Sequence, residues 1–117
     1  MKKNELRTPH YLQHILTAIA RIRAYTAPLS IETFEATPMA VDAVVRNFEI
    51  IGQAARNIMR GDPGFAAAHP EIPWDVMYGM RNQVSHAYFA VDLGVVWHTA
   101  QNDLPELENK LLSLNQP

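Results

Sequence analysis

The sequence has no cysteine among its 117 residues. This excludes disulfide bonds and thiolate metal ligands, and it is typical of proteins that work in a reducing compartment. No apolar run approaches the roughly 20 residues that a membrane-spanning helix needs. The basic start "MKKNELRTPH" is not followed by the apolar segment of a signal peptide. We therefore expect a cytoplasmic protein that does not bind membranes.

The sequence also lacks a large excess of either positive or negative charge. Ten lysines and arginines stand against 12 acidic residues, for a net charge of -2. Without a basic field over the whole protein, binding to nucleic acid must depend on a local group of arginines. A glycine-rich phosphate-binding loop is absent, so any nucleotide chemistry belongs to a partner. The composition fits one globular domain over residues 1–117, with apolar surface to spare for a partner.

Helical patterns fill the first half of the chain. Thr8 and Pro9 form a typical helix start, and the apolar spacing that follows predicts a first helix to about Tyr25. The same start recurs at Thr37 and Pro38, and "RGDPGF" ends this long second helix. Its apolar seam, at alternating steps of three and four, consists of Val41, Val44, Phe48, Ile51, Ala55 and Ile58. A flanking apolar line, which predicts a second buried face, consists of Val45, Gly52 and Met59.

The second half continues in the same way. After a loop "AAHPEIP", Pro73 opens a third helix and Asp92 caps a fourth. The inner face of the fourth helix is expected to hold Leu93, Val96, Trp97, Ala100 and Leu104. Pro105 lies within the continuing pattern, so we expect either a kink or a short fifth helix there. The predicted fold is all-α, an up-and-down bundle of four to five helices.

The stretch "MRNQVSHAYF" concentrates polar groups in the third helix. Asn82 and His86 are four residues apart and share a face, while Arg81, Ser85 and Tyr88 form a neighbouring stripe. Arg81 and His86 lie about 140° apart around a regular helix. Bringing them together requires a loosened helix, an arginine that wraps around the edge, or a second copy of the chain across a two-fold axis.

These side chains suit cleavage of RNA without a metal. One histidine can remove the proton of a ribose 2′-hydroxyl, and a second, protonated histidine can supply one to the leaving oxygen. Arg81 offers donors for the phosphoryl oxygens, and Asn82 orients either His86 or the phosphate. An arginine and a histidine on one helix more often form a cap, a salt bridge or a solvated face, so spacing alone does not decide.

Three separated segments resemble the HepT-like branch of the HEPN superfamily, small helical partners of minimal nucleotidyltransferases in toxin–antitoxin pairs. They are "VVRNFEIIGQAAR", "HPEIPW" and "GMRNQVSHAYFAVDLGVVW". The segments occur in the expected order, and the resemblance extends over nearly the whole chain. The family pattern is arginine, a polar residue, three residues, histidine, one residue and tyrosine. Arg81, Asn82, His86 and Tyr88 match it position by position.

The resemblance implies an HEPN-like homodimer that acts as the toxin of a type VII pair. Its activity would be a cofactor- and metal-independent endoribonuclease, with Arg81, Asn82 and His86 of both protomers facing one cleft. The resemblance also implies that an MntA-like nucleotidyltransferase antitoxin attaches AMP to Tyr88, where a bulky anion would block the cleft. The alternatives are a non-catalytic HEPN subunit that regulates a nucleotidyltransferase, or a purely structural bundle.

The chain departs from the family at "IGQA", where relatives commonly have glutamate in place of Gln53. The polar side of the second helix carries Arg46, Glu49, Gln53, Arg56 and Arg60. A neutral Gln53 makes this side more basic, which either aids RNA binding or marks a lost ion pair. The RNA-binding candidates are Arg46, Arg56, Arg60 and Ser85. A solvated face is the commoner role for Arg56 or Arg60 alone.

The remaining histidines do not form a metal-binding pattern. His10 and His14 have helical i, i+4 spacing but lack the glutamate of a zinc protease, so we expect an exposed start of the first helix and no metal site. His69 and His98 have no evident partner in the sequence. The two tryptophans are expected to pack in the core.

Overall fold

The computed structural model describes residues 3–79 and 92–114, with side chains from residue 7 onward. Within these ranges the chain is helical and has no strand, which confirms the predicted all-α fold. The helices are α1 (Lys3–Thr26), α2 (Ile31–Glu35), α3 (Pro38–Gly61), α4 (Pro63–Ala68), α5 (74–79, up to the end of the first described range), α6 (Leu93–His98) and α7 (Leu104–Ser113). None of the helices in the described ranges has the length and apolar character to cross a bilayer.

Helices α1 and α3, each of 24 residues, pack along each other and form the main contact of the described bundle. In the predicted seam of α3, Val41 is partly buried and the other five side chains are almost fully buried. Val45 and Gly52 are also buried, which confirms that α3 buries more than one face. Ile15, Ile19 and Ile22 of α1 pack in the same core. Each such aliphatic side chain stabilises the fold by about 1.5–3 kcal/mol.

The predicted start of the first helix is wrong. Helix α1 begins at Lys3, and Pro9 lies inside it. Thr8 is not an N-cap: its side chain is buried, and its hydroxyl donates a hydrogen bond to Oδ2 of Asp62 at 2.8 Å. The hydroxyl that was expected to cap the helix therefore bonds to a residue far along the chain. The end of the helix at Thr26 agrees with the prediction.

Two short helices occupy segments that the sequence pattern treats as connections. Ser30 and Thr33 form a capping box at the start of α2, with the Ser30 N–H donating to Oγ1 of Thr33 at 2.8 Å. Phe34 of α2 is fully buried, and its ring centroid lies 5.4 Å from that of Trp97. Asp62 caps α4, because its Oδ1 accepts the Phe65 N–H at 3.4 Å. Helices this short have too few turns to show an apolar period.

The described part after the gap follows the predicted pattern closely. Oδ1 of Asp92 accepts the N–H groups of Gly94 and Val95, which confirms the cap of α6. The inner-face residues are buried or pack against the core, as predicted. A π-helical turn, Thr99–Asp103, joins α6 to α7. It places Pro105 in the first turn of α7, where the missing N–H of proline costs little.

Candidate functional site

The residues expected to carry the chemistry lie outside the described residues. They are Arg81, Asn82, Ser85, His86 and Tyr88. The structure describes the elements that lead into this segment and out of it. The arrangement of these five side chains, and the homodimer expected to bring two sets together, therefore stay predictions.

The residues that lead into this segment, in α5 and just before it, pack in the core. Ile72, Trp74 and Met77 are buried, and the indole N–H of Trp74 donates to the carbonyl of His69 at 3.2 Å. The burial of Trp74 agrees with its predicted core position. On the far side, Asp92 and the buried Val96 hold α6 in place. The motif thus lies between two well-packed anchors.

Arg56 is the RNA-binding candidate that contacts α5, the helix that leads into the motif. Its guanidinium carbon Cζ lies 5.9 Å from the ring centroid of Tyr78, three residues before Arg81 in the sequence. Nε of Arg56 is buried and has no hydrogen-bond partner in the described part of the chain. A guanidinium over an aromatic ring gains about 0.5–2 kcal/mol, depending on its exposure. Arg56 therefore faces the helix that leads to the motif.

The other two candidate arginines of α3 are exposed and do not join Arg56 in one cluster. Arg46 lies in the first half of the helix and Arg60 in its last turn, so that about 21 Å of helix separates them. Arg60 also interacts favourably with the negative end of the helix dipole. The structure thus spreads the three arginines along α3.

Arg46 borders a groove between α1 and α3 that sequence reasoning missed. The α1–α3 groove has a volume of about 220 Å³ and is lined by Tyr11, His14, Arg46, Glu49, Ile50, Gln53, Ala54 and Asn57. Inside it, Nε2 of Gln53 donates to Oδ1 of Asn57 at 3.1 Å. The ring of His14 meets the ring of Tyr11 edge-on, with 6.3 Å between centroids. The spacing of Arg46, Gln53 and Asn57 marks one face of α3, but only packing brings α1 beside it.

Two other histidines have partners that the sequence did not reveal. Nδ1 of His69 lies 3.2 Å from Oε2 of Glu71, and the His69 ring packs at a tilt of 48° against that of Phe65, with 4.6 Å between the centroids. Nδ1 of His98 lies 3.1 Å from Nδ2 of Asn102. Among residues with described side chains, no three histidine or acidic groups come close enough to hold a metal ion.

Comparison with known proteins adds the family context. Residues 15–114 match the family model described as "Ribonuclease HepT-like". A protein of Thermococcus cleftensis named "Probable ribonuclease HepT" is 41% identical over 106 residues, covering 91% of this chain and 94% of the relative. A protein of Caldanaerobacter subterraneus subsp. tengcongensis named "Putative RNase" is 34% identical over 112 residues, covering 95% and 97%. No solved structure matches the chain significantly.

Proposed function

The chain belongs to the HepT-like ribonuclease family of the HEPN superfamily, and we propose that it is a metal-independent endoribonuclease, the toxin of a type VII toxin–antitoxin pair. The proposal depends on one observation. The family match over 15–114 contains the complete pattern Arg81, Asn82, His86 and Tyr88 together with the helices that flank it. Relatives that this chain covers almost end to end are named as ribonucleases, which supports the same activity.

The catalytic step needs two histidines, which a homodimer supplies. His86 removes the proton of a ribose 2′-hydroxyl, and the 2′-oxygen attacks the adjacent phosphorus. The bond to the 5′-oxygen breaks, and that oxygen takes a proton from His86 of the partner subunit. Arg81 stabilises the charge on the phosphoryl oxygens, and Asn82 orients His86 or the phosphate. The products are a 2′,3′-cyclic phosphate and a 5′-hydroxyl.

Regulation acts on Tyr88 in this proposal. The phenol oxygen attacks the α-phosphorus of ATP in the active site of an MntA-like nucleotidyltransferase, and pyrophosphate leaves. The attached AMP adds bulk and negative charge two residues from His86, which blocks the cleft and repels RNA. Mass spectrometry after co-expression should find AMP on the wild-type chain and none on Tyr88→Phe.

The test of the nuclease is cleavage of RNA in the presence of EDTA. Wild-type protein should release fragments with cyclic phosphate ends, and His86→Ala should lower the rate by about 10²–10⁴-fold, the usual contribution of a general base. His98→Ala serves as the control, since His98 is exposed and bonds only to Asn102 among the described residues. Cleavage that needs a metal, or that survives His86→Ala, contradicts the mechanism.

The second candidate function is a non-catalytic HEPN subunit that regulates a nucleotidyltransferase. Both functions are compatible with AMP on Tyr88. Expression of the chain alone separates them: the nuclease should arrest growth, and the arrest should disappear with His86→Ala. A chain that is harmless when expressed alone and inert toward RNA supports the regulatory subunit.

A further inference from the structure

We propose that the α1–α3 groove binds one unpaired nucleotide of the RNA substrate, away from the segment that cuts. This inference rests on the ribonuclease function proposed above. The groove volume of about 220 Å³ is below the roughly 300–1,000 Å³ of pockets that enclose a drug-sized ligand. A site of this size suits a single base that stays partly exposed to solvent.

The groove offers an aromatic surface for the base. Tyr11 is half-buried and packs against the core, so its ring is held in place, while His14 beside it is exposed. The two rings meet edge-on, with 73° between their planes. They can therefore contact a ligand from two different directions. Single-stranded RNA is commonly bound by stacking of its bases on aromatic side chains, worth about 1–3 kcal/mol per base.

The opposite wall offers hydrogen bonds for the base edge. The amides of Gln53 and Asn57 are paired, with Nε2 of Gln53 donating to Oδ1 of Asn57. Oε1 of Gln53 then remains as an acceptor, and Nδ2 of Asn57 remains as a donor. The Watson–Crick edge of a base can form hydrogen bonds to a donor and an acceptor that lie side by side. That edge is free only in unpaired RNA.

The charges of the groove place the phosphate outside and the base inside. Arg46 is exposed and makes no ion pair with any residue whose side chain is described, so its guanidinium can meet a phosphate. Glu49 lines the same groove and would repel a phosphate that entered it. A neutral base is therefore the part of a nucleotide that fits between the walls.

The position of the groove on α3 allows one RNA strand to contact both the groove and Arg56, which packs on the helix that leads into the motif. Arg46 and Arg56 are ten residues apart on α3, which turns them by about 80° around the helix. Arg56 contacts Tyr78 of α5, and the groove lies on the side of α3 that faces α1. Arg60 projects between these two directions. A single RNA strand that crosses the polar side of α3 would reach both Arg56 and the groove.

The experiment measures binding without cleavage. The full-length chain carrying His86→Ala is the parent, and fluorescence anisotropy gives its Kd for a labelled single-stranded RNA and for a duplex of the same sequence. Tyr11→Leu should weaken single-strand binding at least fivefold, the lower end of a lost stacking contact. Gln53→Leu should weaken it by a similar factor, as expected for the loss of a hydrogen bond of about 1 kcal/mol. Duplex binding should stay unchanged. Tyr11→Phe, which keeps the ring, should bind like the parent.

Arg46→Ala and Arg21→Ala form the matched pair for charge, because Arg21 is exposed on α1 outside the groove. Arg46→Ala should weaken binding more than Arg21→Ala does. Unchanged single-strand binding by Tyr11→Leu and Gln53→Leu, in a chain whose wild-type form cleaves RNA, overturns the groove and leaves the nuclease intact. If these two substitutions weaken duplex binding as much as single-strand binding, the proposed groove site is also overturned. A wild-type chain that neither binds nor cuts RNA overturns both proposals.

Discussion

The guanidinium of Arg56 lies over the ring of Tyr78, with 5.9 Å between Cζ and the ring centroid. This contact joins the last third of α3 to α5. Nε of Arg56 is buried and lacks a hydrogen-bond partner in the described ranges, so the ring rather than a carboxylate holds the cation there. Keeping a partly desolvated charge in this place costs stability, and we propose that RNA binding is the reason for it.

Replacing Arg56 by methionine should separate these two roles. Arg56→Met keeps the apolar stem and removes the charge, so we expect a change in the free energy of unfolding of less than about 1 kcal/mol. The kcat/KM for RNA cleavage should fall about tenfold, as expected for the loss of a phosphate contact of about 1.4 kcal/mol. Arg21→Met is the control for a surface arginine. Unchanged cleavage with lowered stability would show that Arg56 is structural.

The sequence pattern predicted the long elements because their signals are local. The seam from Val44 to Ile58 and the cap at Asp92 were both visible as spacing and residue type, and both are confirmed. The start of α1 was predicted wrongly, because Thr8 has the residue type of an N-cap but its hydroxyl bonds to Asp62, 54 residues away, and no local pattern encodes that contact.

In the candidate site, too, the sequence predicts what local order encodes and misses what depends on packing. The motif from Arg81 to Tyr88 is read from the order of residues, so it needs no knowledge of packing. The α1–α3 groove depends on the register of two helices, which decides that Tyr11 stands opposite Gln53. Helical periodicity fixes which face each helix buries but leaves their relative axial shift undetermined.

The bond between Thr8 and Asp62 should contribute measurably to stability. Thr8→Val keeps the shape and removes the hydroxyl, so Asp62 loses a donor at 2.8 Å. Hydrogen bonds to charged groups contribute about 1.5–3 kcal/mol, and we expect a loss in this range from urea unfolding. Thr17→Val, on the less buried part of the same helix, should cost less than about 0.5 kcal/mol. Equal effects of the two substitutions would refute the assignment.

Glu71 should titrate below its ordinary value. Its pKa is lowered from 4.5 first by a hydrogen bond from its own backbone N–H and then by the side chain of His69, against partial desolvation. Because the folded pKa is depressed, the stabilising contribution is present above pH 4.5 and is lost as the pH falls through the folded pKa. Carboxyl NMR should give a midpoint below 4.5. His69→Gln should raise it only partway; a full return to 4.5 would make His69 the main cause.

Asn47 should be replaceable by leucine with a gain in stability. Its side chain is 5% exposed within α3, Nδ2 donates to the carbonyl of Ala43 at 2.8 Å, and Oδ1 is buried without a partner in the described part of the chain. Asn47→Leu removes the unpaired acceptor and places an apolar group of similar size in an apolar core. The carbonyl of Ala43 keeps its helical hydrogen bond. We expect a gain of about 1–2 kcal/mol in urea unfolding. Asn47→Asp should instead destabilise the fold, because it buries a charge. A loss of stability in Asn47→Leu would show that Oδ1 is hydrogen-bonded in the folded protein.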